Sequence, residues 1–327
     1  MARLRACVVG VGYVGRYHAQ KYRDMPEVDL VAVVDLRYDR ALSVARELQT
    51  EAYRSLQELV HRVDIASVAV PTTSHCAVAT ELMDQGVHVL VEKPMASSLE
   101  EAEAMADRAR SRGVVLQVGH LERFNPAIRA ILPHLENPLF LECHRISPYQ
   151  GRGTDVDVVL DLMIHDIDLL LYFLKAEPIQ VDAVGVPVLT PQYDIVNARF
   201  RFPSGCVANV TASRVSAKSL RKIRIFQPNA YFSVDCGKGE ARIYRRVRSG
   251  GSDKAQITAE SLCVGEGDSL LEEIRSFVEA VRFGRPPVVD GAAGIRSLKV
   301  ALKVLEDLEE TCPKGLLETL AREKGHG

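Results

Sequence analysis

Ala6-Cys7-Val8-Val9-Gly10-Val11-Gly12-Tyr13-Val14-Gly15 is the stretch that decides the fold. Ala6 to Val9 is a short apolar run that reads as a buried strand, and Tyr13 to Arg23 reads as a helix. Between them Gly10, Gly12 and Gly15 spell G-x-G-x-x-G, with one task for each glycine. The first permits a tight turn off the strand, the second lets a pyrophosphate approach the backbone, and the third lets helix and sheet pack closely. The helix N-terminus, opening with Tyr13 and Val14, then offers unsatisfied N–H groups and positive dipole to phosphate. A second apolar strand, Val28 to Val34, ends in Asp35, one βαβ unit on, where a carboxylate can hold the ribose hydroxyls of NAD. A glycine turn in an unrelated α/β protein would lack this run of strand, helix, strand and acid.

The 327 residues suit two domains, and 47% hydrophobic with 26% charged residues suits a packed core. A net charge of -2 gives no global electrostatic case for nucleic acid or a membrane surface. Met1 to Arg5 runs straight into the first strand, so no signal peptide is expected. The most apolar later segment, Val158 to Leu174, contains Asp161, His165, Asp166 and Asp168, which argues against a membrane span. Seven scattered cysteines without a C-x-x-C suit a reducing cytoplasm and argue against structural zinc.

The first third alternates strands with helices. Helices are expected over Tyr38 to Leu48, Ser55 to His61, Cys76 to Gln85 and Ser98 to Arg112. Strands are expected over Ile65 to Val70, His88 to Val91 and Val114 to Val118. This is the pattern of an α/β, doubly wound parallel sheet, a Rossmann domain over residues 1–120. Asp35, Thr72, Lys93 and Gly119 would lie at its carboxyl edge, where such sheets bind ligands. From residue 121 to 327 the pattern changes to a second α/β domain with a largely antiparallel open sheet. Asn125-Pro126 opens a helix to Leu135, and Phe140 to Arg145 reads as a strand. The loop Ser147 to Asp157 precedes an apolar helix, Val158 to Leu174. Short strands follow, among them Ile195 to Phe202, Cys206 to Arg214, Leu220 to Phe226 and Tyr231 to Asp235. Helices Ser269 to Arg282 and Ala292 to Glu310 close the fold, and Lys314 to Gly327 is expected to fray.

Asp161 and His165 are four apart, so on a helix they share a face. A carboxylate beside an imidazole raises its basicity and fixes the ring, which suits a general base. The same pair could also satisfy itself within the core. Asp155 or Asp157 reads as a helix cap. Lys93 stands between Glu92 and Pro94 at a strand end, and Pro94 restricts it to extended geometry. A lysine there can donate to a substrate oxygen that gains negative charge, or be a surface lysine. Ser213 to Arg224 carries Arg214, Lys218, Arg221, Lys222 and Arg224 and no acid. That stretch is either a solvated face or a contact for a diphosphate, to which arginine is suited. Arg123, Arg145 and Arg152 could join it. His18, Met25, Met83 and Met105 fall in helical patterns and read as packing, while His75 could touch a cofactor.

Gly10-x-Gly12-x-x-Gly15, Asp35, Pro71-Thr72-Thr73-Ser74-His75, Glu92-Lys93-Pro94 and Asp161-x-x-x-His165 occur in order at suitable intervals. Together they resemble the Gfo/Idh/MocA oxidoreductase family, from Arg3 to about Glu310 and including Gly284-Arg285-Pro286-Pro287. The resemblance implies NAD, with NADP as the alternative, on Gly10, Gly12, Tyr13, Val14, Gly15, Asp35, Pro71, Thr72, His75, Glu92 and Lys93. It implies Lys93, Asp161 and His165 around a reacting hydroxyl, and an open sheet that often forms an oligomer interface, as a dimer or tetramer. Gly119-His120-Leu121-Glu122-Arg123-Phe124-Asn125-Pro126 and the run Arg152 to Asp168 look like the UDP-N-acetylglucosamine 3-dehydrogenases of that family. That likeness implies Glu122, Arg123, Asn125, Arg152, Arg214 and Arg221 as further contacts for a nucleotide sugar. It also implies a downstream aminotransferase dependent on pyridoxal phosphate, and lipid A-type products. A free polyol, aldose or inositol, a biliverdin-reductase-like substrate, and a non-catalytic NAD-dependent sensor stand as alternatives.

Overall fold

A computed structural model describes residues 2–59, 63–149, 157–248 and 255–311. The opening apolar run forms β1 (Leu4–Val9), whose last four residues are buried. The alternation continues through α1 (Tyr13–Asp24), β2 (Val28–Val34), α2 (Tyr38–Leu48) and a short β3 (Glu51–Tyr53). It then runs through β4 (Ile65–Val68), α3 (His75–Asp84), β5 (His88–Glu92), α4 (Leu99–Arg112) and β6 (Leu116–Gly119). All six strands pair in parallel, in the order β3-β2-β1-β4-β5-β6. The strand order reverses between β1 and β4, the switch point at which such sheets bind ligands. α4 shows why the helix boundaries were readable. Ser98 accepts from the Glu101 N–H at its start, and Gly113 ends it with φ +65. Ser55 to His61 forms only a 3-10 turn at Leu56–Leu59, and His61 lies outside the described residues.

In the next part α5 (Pro126–Ile131) begins as Asn-Pro predicts, with the Asn125 side chain accepting from Ala127 N–H. It is shorter than expected and tightens into a 3-10 turn at Leu132–His134. β7 (Phe140–Ile146) follows. The segment read as one helix from Val158 is divided into a π-turn, Val159–Met163, and α6 (Ile164–Leu174). The remaining strands are β8 (Gln180–Val186), β9 (Ile195–Arg201), β10 (Val207–Ser213), β11 (Leu220–Gln227), β12 (Ala230–Asp235), β13 (Glu240–Arg248) and β14 (Ala255–Ser261). With β7 they make a sheet ordered β14-β13-β12-β11-β7-β10-β9-β8, parallel at β7–β10 and antiparallel elsewhere. Strand residues alternate in burial, as in the buried-intermediate repeat of β7. The inward set, including Leu141, Cys143, Phe200, Ile223 and Phe232, packs with Ile164, Ile167 and Leu170 of α6. The opposite face carries a cross-strand aromatic row, Phe140, Phe226, Tyr231 and Tyr244, with the two tyrosine rings stacked 4.3 Å apart.

α7 (Ser269–Phe283) and α8 (Gly291–Thr311) close the described chain. Two compact units result, Met1–Leu121 with Asp268–Leu298, and Glu122–Gly267 with Lys299–Gly327. The sequence boundary at residue 120 therefore misses a return of the chain. Its cause is apolar: Ile274, Phe277 and Val278 of α7 join the core built by Ala6, Val8 and Leu90. The polar tail 314–327 lies outside the described residues. Among the described residues no helix is long and apolar enough to cross a membrane.

Candidate active site

The glycine turn in the first unit is shaped by close approach. Gly10 has φ +84, and a Cβ there would lie 2.6 Å from the Ala69 carbonyl oxygen. A Cβ on Gly15 would lie 1.8 Å from the Gly10 carbonyl oxygen, so only glycine lets α1 come this near. Gly12 differs, because the nearest atom to its Cβ position is Arg40 Nη1 at 3.6 Å. That opening is where a diphosphate would need to reach the backbone. α1 has no side-chain cap and no acid in its first turn, which leaves its N–H groups to an anion. Tyr13 and Val14 are exposed beside it, and Pro71 and Thr72 follow β4 at the same strand edge.

Asp35 is buried and fixed at the end of β2. Its Oδ2 accepts from Val11 N–H at 3.1 Å and faces Arg40 Nη1 at 3.3 Å, while Oδ1 accepts from Arg37 N–H at 2.9 Å. The glycine opening, the uncapped helix end and this oriented carboxylate fit a dinucleotide.

At the end of β5, Lys93 is half-buried and its bond to Pro94 is cis. Glu92 Oε1 lies 2.9 Å from His18 Nε2, and Glu92 Oε2 accepts from the Lys93 backbone N–H at 3.3 Å. Burial works against a charged Glu92, but His18 and Lys93 outweigh it and hold the carboxyl below its ordinary range. The His75 ring is buried, with Nδ1 3.0 Å from the Pro94 carbonyl oxygen and Nε2 2.9 Å from that of Val70. Burial lowers its pKa despite those two acceptors. Both residues, read from sequence as cofactor contacts, thus turn their polar atoms to the protein around Lys93. His18, read as packing, is part of this arrangement.

In the second unit the π-turn carries Asp161, half-buried, and α6 carries His165, nearly buried. A π-turn widens the helix locally and is frequent at functional sites. Asp157 is not a side-chain cap: its carboxylate accepts from Tyr193 N–H at 3.1 Å, and burial raises its pKa. Asp155 lies outside the described residues.

The next acids of α6 are structural anchors. Asp168 takes Arg123 in a fork, at 2.7 Å from Nε and 2.6 Å from Nη2, and Arg123 stacks on Tyr172 with 4.7 Å to the ring centre. Asp166 takes Arg145 in a second fork, at 2.9 and 3.0 Å, and Arg145 Nη1 reaches Glu122 at 2.7 Å. Asn125 donates to Glu122 at 3.1 Å and to the Cys236 carbonyl at 3.2 Å. Burial raises the Asp166 pKa even beside Arg145, whereas for Glu122 the arginine overcomes burial and lowers it. Arg214 is buried against Asp194 at 3.3 Å and donates to the Tyr193 carbonyl at 3.2 Å. Glu122, Arg123, Asn125, Arg145 and Arg214, expected as ligand contacts, each thus have a partner within this unit. A buried charge is costly unless paired, and these partners lower that cost. Arg221 remains exposed on β11, opposite Arg145 in register, and Arg152 lies outside the described residues.

Residues 4–120 match the model of the Gfo/Idh/MocA oxidoreductase family, NAD-binding Rossmann fold, and residues 144–239 match a C-terminal domain of that family. The chain is 40% identical to UDP-N-acetylglucosamine 3-dehydrogenase of Acidithiobacillus ferrooxidans over 93% of this chain and 97% of that one. It is 26% identical to myo-inositol 2-dehydrogenase of Thermotoga maritima, over 94% and 97%. The solved structure of the Acidithiobacillus enzyme superposes with a TM-score of 0.88 at 39% identity, covering 97% of this chain and all of that one. The motifs, the six-stranded parallel sheet and the mostly antiparallel second sheet agree with these matches, and the chain belongs to the Gfo/Idh/MocA family of NAD-binding oxidoreductases.

Proposed function

We propose that the enzyme oxidises C3 of UDP-N-acetylglucosamine to the 3-keto sugar nucleotide. The observation that carries this reading is its 40% identity to an enzyme of that activity across nearly the whole of both chains. Bound NAD supplies a hydride acceptor. The glycine turn and α1 hold its diphosphate, and Asp35 holds the adenosine ribose. Lys93 donates to the substrate oxygen as it gains negative charge. His165 receives the hydroxyl proton, and Asp161 orients the imidazole and stabilises its charged form. Exchange of the Lys93 and His165 roles gives the same proton balance. Positioned acid–base groups contribute about 10²–10⁴-fold each.

The sugar nucleotide needs a diphosphate contact, for which the exposed Arg221 is the candidate among the described residues and Arg152 the candidate outside them. The engagement of Arg123, Arg145 and Arg214 by protein groups favours a second reading, a free polyol or inositol that needs no such cluster. Incubation with NAD and UDP-N-acetylglucosamine, N-acetylglucosamine or myo-inositol, with the ketone trapped by an aminotransferase, separates them. The first reading expects reduced nicotinamide with the UDP-sugar and a raised KM in Arg221→Ala. Turnover of a free sugar or inositol alone would reject it.

A cytoplasmic enzyme feeding an aminotransferase that makes a 3-amino sugar for lipid A-type lipids completes this reading. A homo-oligomer, dimer or tetramer, formed through the open sheet is part of the same reading, and that sheet carries the exposed-face aromatic row through Tyr231 and Tyr244.

A further inference from the structure

Lys93 has a buried histidine tether on each side. Upstream, His18 of α1 is fully buried, with Nε2 2.9 Å from Glu92 and Nδ1 3.0 Å from Ser67 Oγ. Ser67 Oγ in turn lies 2.9 Å from Tyr22 Oη. The Glu92 carboxylate so fixed accepts from the Lys93 backbone N–H. Gly119 makes room for this, since a Cβ there would come 3.2 Å from Glu92 Cδ and Oε1. Downstream, His75 at the start of α3 spans the carbonyls of Pro94, next to Lys93, and Val70, next to Pro71 and Thr72. The two histidines thus come from the two helices that follow the glycine turn and the Pro71-Thr72 turn.

We infer that His18 and His75 are positioning residues for Lys93, tying its backbone to the two turns assigned to the dinucleotide. The inference rests on the reading of Lys93 as the donor to the substrate oxygen. A lysine has a long, flexible four-carbon stem, so its ammonium is placed well only if its backbone is fixed. Misplacement of a reacting group by 1 Å can cost about a hundredfold in rate. Glu92 and Pro94 flank Lys93 directly, so fixing both removes play from each side. Neither histidine needs to touch substrate to do this.

The test is a double-mutant cycle on the full-length enzyme. His18→Leu and His75→Leu are made alone and with Lys93→Met, beside His18→Gln, which can still donate to Glu92. kcat with the preferred sugar, the Kd for NAD and the urea midpoint are measured for each. His18→Leu and His75→Leu are expected to lower kcat about tenfold or more with the NAD Kd changed less than about threefold. In the Lys93→Met background the same changes should alter the residual rate by less than about twofold, because a residue acting through Lys93 has nothing left to act on. His18→Gln should recover most of the rate. Should His18→Leu fail to fold, Ser67→Ala, which frees one end of the ring, takes its place in the cycle. Equal losses with and without Lys93, or parental kcat in the single variants, would overturn the inference. A parental rate in Lys93→Met itself would instead remove the donor reading on which it stands.

Discussion

Replacing Asp35 by asparagine should erase the preference for NAD over NADP, and the size of the effect follows from the charges around it. The carboxylate is buried, accepts from Val11 and Arg37 N–H groups, and faces Arg40 at 3.3 Å. A 2′-phosphate near this position carries about -1.5 to -2 charges. Two unit charges about 5 Å apart interact by about 3 kcal/mol at an effective dielectric of about 20, so Asp35 opposes the phosphate by about 5 kcal/mol. Arg40 meets the same phosphate charge, but its side chain is 37% exposed against 6% for Asp35, so at a solvent-screened effective dielectric of about 33 it returns about 3 kcal/mol of that. Arg37, side chain exposed, adds little through solvent. The balance, about 2 kcal/mol, is a preference for NAD of about thirtyfold in kcat/KM. Asp35→Asn keeps a carbonyl for one of the backbone N–H bonds, removes the repulsion and leaves Arg40 to hold the phosphate. The ratio should then fall to about unity or favour NADP. Arg40→Ala should move it the other way, by about tenfold or more. The assay is initial rates with both cofactors at fixed sugar. Parental kcat/KM as high with NADP as with NAD, or an unchanged ratio in Asp35→Asn, would refute the reasoning.

His165→Ala should lower kcat by at least about a hundredfold with NAD binding kept, and Asp161→Asn by less, since the imidazole remains; turnover like the parent would make the pair a packing feature. Arg145→Met strands two buried carboxylates, Glu122 and Asp166, and should cost about 3–5 kcal/mol in urea unfolding; a loss below about 1 kcal/mol would show that this network does not hold the unit. Stability should also fall with acid. Burial lowers the pKa of His88 and His75 in the folded state, and His88 Nδ1 accepts from Val115 N–H, which needs the unprotonated nitrogen. Their contribution is full above the unfolded value of about 6.5 and is lost as pH falls through the lower folded values. Unfolding free energies between pH 7.5 and 5 should therefore decline less in His88→Gln, and an equal decline would exclude His88 as a source.

The Rossmann half was legible because each of its signals is local. The glycine spacing, the acid after β2, Ser98 and Gly113 around α4 and the Asn-Pro start of α5 all act within a few residues. The long-range facts were not. Nothing near Arg123 tells that Asp168 will fork it, or that Arg145 will bridge Glu122 and Asp166; unpaired in the sequence, they read as ligands. The arginine-rich β13 hid its alternation, and α7 showed an amphipathic face without naming the core it would join. His18 had a faint signal, three residues after Gly15 on the face that turns to the sheet, but its partner Glu92 is far along the chain.

Of the polar residues in and before α6, the sequence singles out Asp161 and His165 for chemistry, and the structure gives Asp166 and Asp168 a separate task. Ile164, Ile167, Leu169 and Leu170 surround the helix and are all buried. A helix apolar all round gains almost equally from burial at any rotation about its axis, so hydrophobic packing alone does not fix where His165 points. Arg145 and Arg123 supply what is missing, because a bidentate fork is directional and each grips one residue just past His165. Such buried ion pairs add little net stability over apolar replacements, but they can specify one arrangement among several. Arg145→Met tests this second role in its kinetics. At temperatures where the variant is folded, kcat should fall about tenfold while the NAD Kd stays within about threefold, as misplaced groups lose rate more than binding. A folded Arg145→Met enzyme with parental kcat would mean that the apolar collar alone sets the helix.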